Sequence, residues 1–260
     1  MTNSIYLLPF FLGAICGSFI NVVVYRLPRN LSLIHPNSFC VLCKSPLRWY
    51  ENIPIVSYII QGGKCNHCNA RISFTYVFIE FISGLIFIFL WQLAPDIYHF
   101  IFYSLYALIF LALIFIDYKH FIIPNKLLIP LFILTTIFYI IYNEYNIFFH
   151  LISAVIVAGA LYILRIIAQF IFKKESFGLG DIKLGSLIGF ILGWKAALIA
   201  IFFGFLIAGI VIIIFFCLRK ISKGAYIPFG PFIILGMVTY LLWGKTIVSL
   251  YIFLILHGQH

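Results

Sequence analysis

Apolar runs of about twenty residues, broken by short polar stops, recur along most of the chain. A run of that length spans the hydrocarbon core of a bilayer as a helix. Inside hydrocarbon, only helices and closed barrels satisfy every backbone N–H and C=O. The runs extend from Ser4 to Tyr25, Thr75 to Leu93, Tyr98 to Ile116, the residues after Pro124-Asn125-Lys126 to Tyr142, and Ile147 to Phe172. The stretch from Ile182 to Phe216 is too long for one span and is divided by Gly193-Trp194-Lys195. The last, Phe229 to Leu256, is interrupted by Gly244-Lys245 and is counted once. The expectation is an all-α polytopic membrane protein of about eight transmembrane helices.

Charge supports this reading and excludes another. The net charge is +10, yet only 9% of residues are charged, against about 25% in soluble domains. The basic residues are spread over short loops, as the positive-inside rule produces, and not gathered into a nucleic-acid surface. The first run has no basic n-region and no small-residue cleavage site, so it reads as a retained span.

Lys and Arg also orient the spans. Arg26, Arg29, Lys44, Arg48, Lys64 and Arg71 follow the first span. Lys119 with Lys126, Lys173 with Lys174, and Arg219 with Lys220 and Lys223 fall on the same side if spans alternate. That side is expected to be cytoplasmic, with both termini outside. The implied division is residues 1–25 as a first transmembrane helix, 26–74 as a cytoplasmic four-cysteine domain, and 75–260 as a transmembrane domain.

The 26–74 segment carries Cys40-Val41-Leu42-Cys43 and Cys65-Asn66-His67-Cys68, two Cys-x-x-Cys knuckles separated by 21 residues. Four thiolates at such spacing suit tetrahedral zinc. A metal would help so short a segment fold, as a small zinc-ribbon-like loop domain. Two disulfides are the alternative, disfavoured in a reducing cytoplasm. A closed four-thiolate site is structural by default. Among the other cysteines, Cys16 and Cys217 lie inside apolar runs.

Acids are scarce, seven in all, and an acid at the edge of hydrocarbon is a functional candidate. Asp181 follows Gly178-Leu179-Gly180, and Asp117 closes the third span. On the topology above, both lie at the cytoplasmic boundary. Two carboxyl groups sharing a proton can activate water against an amide, one as base and one as acid. Gly178 and Gly180 would let backbone approach a substrate closely. Each acid has a plainer reading. Asp181 can be a helix N-cap or pair with Lys183. Asp117 opposes the dipole of its own helix, which Lys119 could offset. Glu80, in the second span, fits a hydrogen-bonding partner for an adjacent helix or a loop arginine.

Taken together, these residues resemble the type IV prepilin peptidase family. The resemblance runs from Gly17-Ser18-Phe19-Ile20-Asn21 and Arg26-Leu27-Pro28 through the knuckles and Glu51-Asn52-Ile53-Pro54. It continues through Glu80, Asp117 with Ile123-Pro124, Gly178-Leu179-Gly180-Asp181, and Pro228-Phe229-Gly230-Pro231-Phe232. Presenilin-type proteases share Gly-x-Gly-Asp alone, but not its combination with a cysteine loop. Many family members carry Asp where this chain has Asn125, and Asp is frequent where it has Glu51.

The resemblance implies an aspartic endopeptidase that is also an N-methyltransferase, in the bacterial inner membrane. Asp117 and Asp181 would be catalytic, with Gly178, Gly180, Lys183 and Glu80 positioning substrate. Cys40, Cys43, Cys65 and Cys68 would hold zinc, and S-adenosylmethionine would supply the methyl group. Substrates would be the prepilins and pseudopilins of pilus and type II secretion systems, met at the lipid boundary. No glycine-rich dinucleotide-type loop marks where S-adenosylmethionine binds. The alternative is a zinc-stabilised, non-enzymatic transporter or assembly scaffold, which would place its acids near the bilayer midplane.

Overall fold

The apolar runs become helices in the computed structural model, which describes residues 6–142, 146–172, 178–219 and 227–257. In order these are α1 (Leu7–Arg26), α2 (Val56–Ile60), α3 (Phe74–Leu93), α4 (Ile97–His120), α5 (Asn125–Tyr142), α6 (Ile147–Phe172), α7 (Leu179–Leu192), α8 (Trp194–Cys217) and α9 (Gly230–His257). No strand longer than an isolated bridge occurs among the described residues. Six helices (α1, α3, α4, α5, α6 and α8) are long and apolar enough to cross a membrane. The turn at Asn143-Glu144-Tyr145 and the loop lysines Lys173, Lys174, Lys220 and Lys223 lie outside the described residues.

The helices form two compact units, Met1–Phe115 and Ile116–His260. The division falls within α4 and groups the four-cysteine segment with α1 and α3. In the first unit, α1 packs against α3 along a seam of small residues. A Cβ grown on Gly13 would meet the Ser83 carbonyl and Phe87, and one on Gly17 would lie 2.7 Å from the Ser83 hydroxyl. Lipid supplies no hydrophobic drive between helices, so close backbone contact of this Gly-x-x-x-Gly kind holds them. Asn21 adds a bond to the Tyr76 carbonyl at 3.0 Å. The Ser73 hydroxyl caps α3 by accepting the Thr75 N–H.

In the second unit, α8 and α9 cross where Gly236 meets Ala200 and Gly204, again with no room for a side chain. Helix α7 is only 14 residues long because Gly193, at φ +81°, ends it and starts α8 at once. Its last carbonyls do not go unpaired. Tyr139 Oη donates toward the Phe190 and Ile191 carbonyls at 2.9 and 2.7 Å, and His150 Nδ1 lies 2.7 Å from the first. A short helix can end inside the protein because neighbouring helices answer its open backbone groups. At the other apolar division, α9 runs through Gly244-Lys245 without a break.

Candidate functional site

Helix α4 carries Asp117 into its last turn, and α7 carries Asp181 in its first. Both side chains are buried in the Ile116–His260 unit. Asp181 is not the N-cap of α7. Gly178 takes that position, and Asp181 stands three residues in and reaches back to accept the Gly178 N–H at 3.2 Å. The capping duty is therefore real but occupies one oxygen, Oδ2. Lys183 does not pair with Asp181 either; its Nζ donates to Asn125 Oδ1 at 3.2 Å, joining α7 to the start of α5.

Asp117 sits at the unfavourable, negative end of α4. The fold compensates by bringing the start of α9 to it. The Gly230 N–H, an open donor of that helix's first turn, bonds Asp117 Oδ2 at 3.0 Å. Each carboxylate thus faces the positive end of a helix dipole, α9 for Asp117 and α7 for Asp181. The charge on Asp117 acts directly on Asp181. Among the described residues, no protein donor bonds the other oxygen of either acid, which leaves it available to water.

Ile123 holds these pieces together. A Cβ on Gly180 would meet Ile123 Cβ at 3.1 Å, and one on Gly230 would meet its Cδ1 at 3.2 Å. One isoleucine wedged between two glycines thus draws the starts of α7 and α9 onto the end of α4. Gly180 is needed for packing at this point. Gly178 lies against Asp181 itself, with a Cβ position 3.1 Å from Oδ2. Gly230 is a contributor that reading residue by residue did not single out, although its Pro-Phe-Gly-Pro setting was visible.

Glu80 belongs to the other unit. Among the described residues it meets the adjacent helix, through the Ser18 side chain of α1, and no arginine; its Oε2 also accepts the Ile55 N–H at 2.8 Å. In the same unit, the sulfur atoms of Cys40, Cys43, Cys65 and Cys68 all lie within 4.8 Å of one another. The knuckles are built alike. Lys44 N–H bonds the Cys40 carbonyl and Asn69 N–H the Cys65 carbonyl, with Lys44 and Asn69 both left-handed at φ +57° and +56°. Cys40 to Cys68 and Cys43 to Cys65 are each 4.0 Å apart, unbonded. Sulfurs tetrahedral about zinc, at about 2.3 Å from it, would be about 3.8 Å apart, so the residues fit a four-thiolate ion.

The thiol chemistry agrees. The Ser45 hydroxyl, then its backbone, pushes Cys43 down to about 6. Backbone N–H groups of His67 and Cys68 lower Cys65. Cys68 is pulled down by the Ala70 backbone, but desolvation and the neighbouring thiols outweigh that and raise it to about 11. Four clustered sulfurs cannot all ionise unaided, and a divalent cation removes that conflict.

The model of the type IV leader peptidase family matches residues 104–214, which include both aspartates, and that of the bacterial peptidase A24 N-terminal domain matches residues 11–93. The prepilin leader peptidase/N-methyltransferase of Pseudomonas aeruginosa is 32% identical over 93% of this chain and 91% of its own. The chain belongs to the type IV leader peptidase family. Proteins of the same name from Vibrio cholerae and Bacillus subtilis are each 34% identical, over 90% and 94% of this chain and 95% and 96% of theirs. No solved structure matches the chain.

Proposed function

We propose that this protein removes the leader peptides of type IV prepilins and related pseudopilins at the cytoplasmic face of the inner membrane. It then methylates the new N-terminus from S-adenosylmethionine. The observation that carries the peptidase half is the approach of two scarce, buried carboxylates, each bonded by an N–H at a helix start, Gly230 of α9 for Asp117 and Gly178 before α7 for Asp181, and each with one oxygen left over. In this reading a water lies between those oxygens. One aspartate takes its proton as the oxygen adds to the scissile carbonyl. The other, protonated, donates to that carbonyl; as the tetrahedral intermediate collapses, the first gives the water's proton to the leaving amine and the second takes its own back from the hydroxyl. Asp117 and Asp181 stand in the last and first turns of their helices, not at mid-span, which favours cleavage at a membrane boundary over an ion path.

The four cysteines hold a structural zinc ion in this account, fixing the loop that joins α1 to α3. Lys183 and Asn125 tie α7 to α5 beside the aspartates and position the substrate segment. In the methyl transfer, the pilin amine forms an N–C bond as the C–S bond breaks. S-adenosylhomocysteine leaves, and the amine's surplus proton goes to solvent. The test is mass spectrometry of a purified prepilin incubated with the protein and labelled S-adenosylmethionine. Loss of the leader and gain of one labelled methyl group at the new N-terminus are expected. An uncut prepilin refutes the peptidase half, and a cut but unlabelled product refutes the transferase half.

A further inference from the structure

A cavity of about 380 Å³ opens within the Met1–Phe115 unit, lined by α1, α3 and the four-cysteine segment. Small-molecule sites measure about 300–1,000 Å³. Part of its wall is polar but already satisfied. Arg26 donates to the carbonyls of Ser32, Pro36 and Asn37, and Glu51 accepts from the Arg48 N–H and Asn66. Other lining side chains stand ready. Tyr58, Tyr76, Gln61, Asn52 and Arg71 make no side-chain hydrogen bond or ion pair among the described residues.

Glu80 is the decisive group. It is buried at 8% exposure and lines the cavity, and no lysine, arginine or histidine pairs with it among the described residues. Its partners are neutral: the Ser18 side chain and the N–H of Ile55, which sits at φ +64°, ψ −51°. A β-branched residue is strained there. The loop accepts that strain where it meets the carboxylate. A buried carboxylate without a cation calls for one from outside.

We infer that this cavity binds S-adenosylmethionine, with Glu80 facing its sulfonium cation. The inference rests on the methyltransferase half of the proposed function and supplies its cofactor site. The tyrosine faces of Tyr58 and Tyr76 suit the adenine ring and the cation. Arg71 suits the methionyl carboxylate, and Gln61 and Asn52 suit the polar edge of the adenine.

Glu80→Gln tests this, since the amide keeps an oxygen for the Ile55 N–H and loses the charge. Binding of labelled S-adenosylmethionine and of S-adenosylhomocysteine, which lacks the sulfonium, is measured by equilibrium dialysis on the full-length protein in nanodiscs. Glu80→Gln should weaken the cation by about tenfold or more and the neutral product by less than about threefold. Tyr58→Ala should weaken both by about tenfold. Unchanged S-adenosylmethionine affinity in Glu80→Gln overturns the assignment, as does equal weakening of both ligands in that variant. If wild-type protein transfers methyl groups while both variants bind normally, only the location fails. Wild-type protein that cuts prepilin but binds neither ligand overturns the methyltransferase reading itself.

Discussion

Gly230→Ala isolates the contribution of α9 to the aspartate pair. The added Cβ would lie 2.7 Å from Asp117 Oδ2, against an ordinary contact of 3.4 Å or more, so the carboxylate must move by 3.4 − 2.7 = 0.7 Å. The other conflict, 3.2 Å to Ile123 Cδ1, involves the flexible tip of a side chain and is relieved cheaply. Gly230 does not have a positive φ, so alanine fits the backbone and the effect passes through Asp117. A hydrogen bond to a charged group is worth about 1.5–3 kcal/mol. A misplacement near 1 Å costs about a hundredfold in rate. Together these predict a fall in kcat for prepilin cleavage of about 10- to 100-fold, with KM little changed. The assay is cleavage of a purified prepilin followed by gel densitometry. Methyl transfer to an already cleaved pilin serves as the internal reference and should hold its rate. Cleavage within about threefold of wild type would refute the role given to Gly230. A matching fall in methyl transfer would show a general loss of structure instead.

Three further outcomes follow from the first unit. Purified protein should carry about one zinc ion per chain, and Cys65→Ser should lose it and lower the melting temperature of that unit, read by metal analysis and thermal unfolding. Gly17→Val should destabilise the same unit by about 1–3 kcal/mol, because α1 and α3 must separate to admit the side chain; a melting temperature equal to wild type would contradict the seam. The Glu51 carboxyl is held below its ordinary value of 4.5, first by the Arg48 N–H and then by Asn66. A depressed pKa contributes stability that is present above the ordinary value and lost as pH falls through the lowered one. Amide exchange at Arg48, corrected for intrinsic rate, should therefore stay protected at neutral pH and lose protection only in acid below 4.5. Glu51→Gln should flatten that dependence.

Much of this was legible in the chain because hydrocarbon leaves few choices. The spans, the break at Gly193 and the pairing of the cysteine knuckles all follow from local sequence. The site was legible in part. Asp117 and Asp181 stood out as charges at the ends of apolar runs. Their partners did not, because each bond depends on packing that no local pattern encodes. Asp117 is held by Gly230, 113 residues away in sequence, and only the approach of α9 makes that glycine a donor. Glu80 was expected to meet an arginine or a neighbouring helix, since those are the usual answers to a charge in a span. It meets the neighbouring helix at Ser18 of α1, and it also meets the backbone of Ile55, whose rare conformation an Ile-Pro-Ile sequence does not announce. At Asp181, capping does not exclude the proposed catalytic role, since the helix occupies only one of its oxygens.

Asp117 and Asp181 are proposed to cut the leader together, and single Asp→Asn variants separate this from a structural role for either acid. Asparagine keeps an oxygen for the Gly230 or Gly178 N–H, so the helix starts stay satisfied while the acid chemistry is lost. With correct folding and retained zinc established for each variant, cleavage of purified prepilin should fall by about a thousandfold or more in both. Cleavage at the wild-type rate by either folded variant would contradict the aspartate pair.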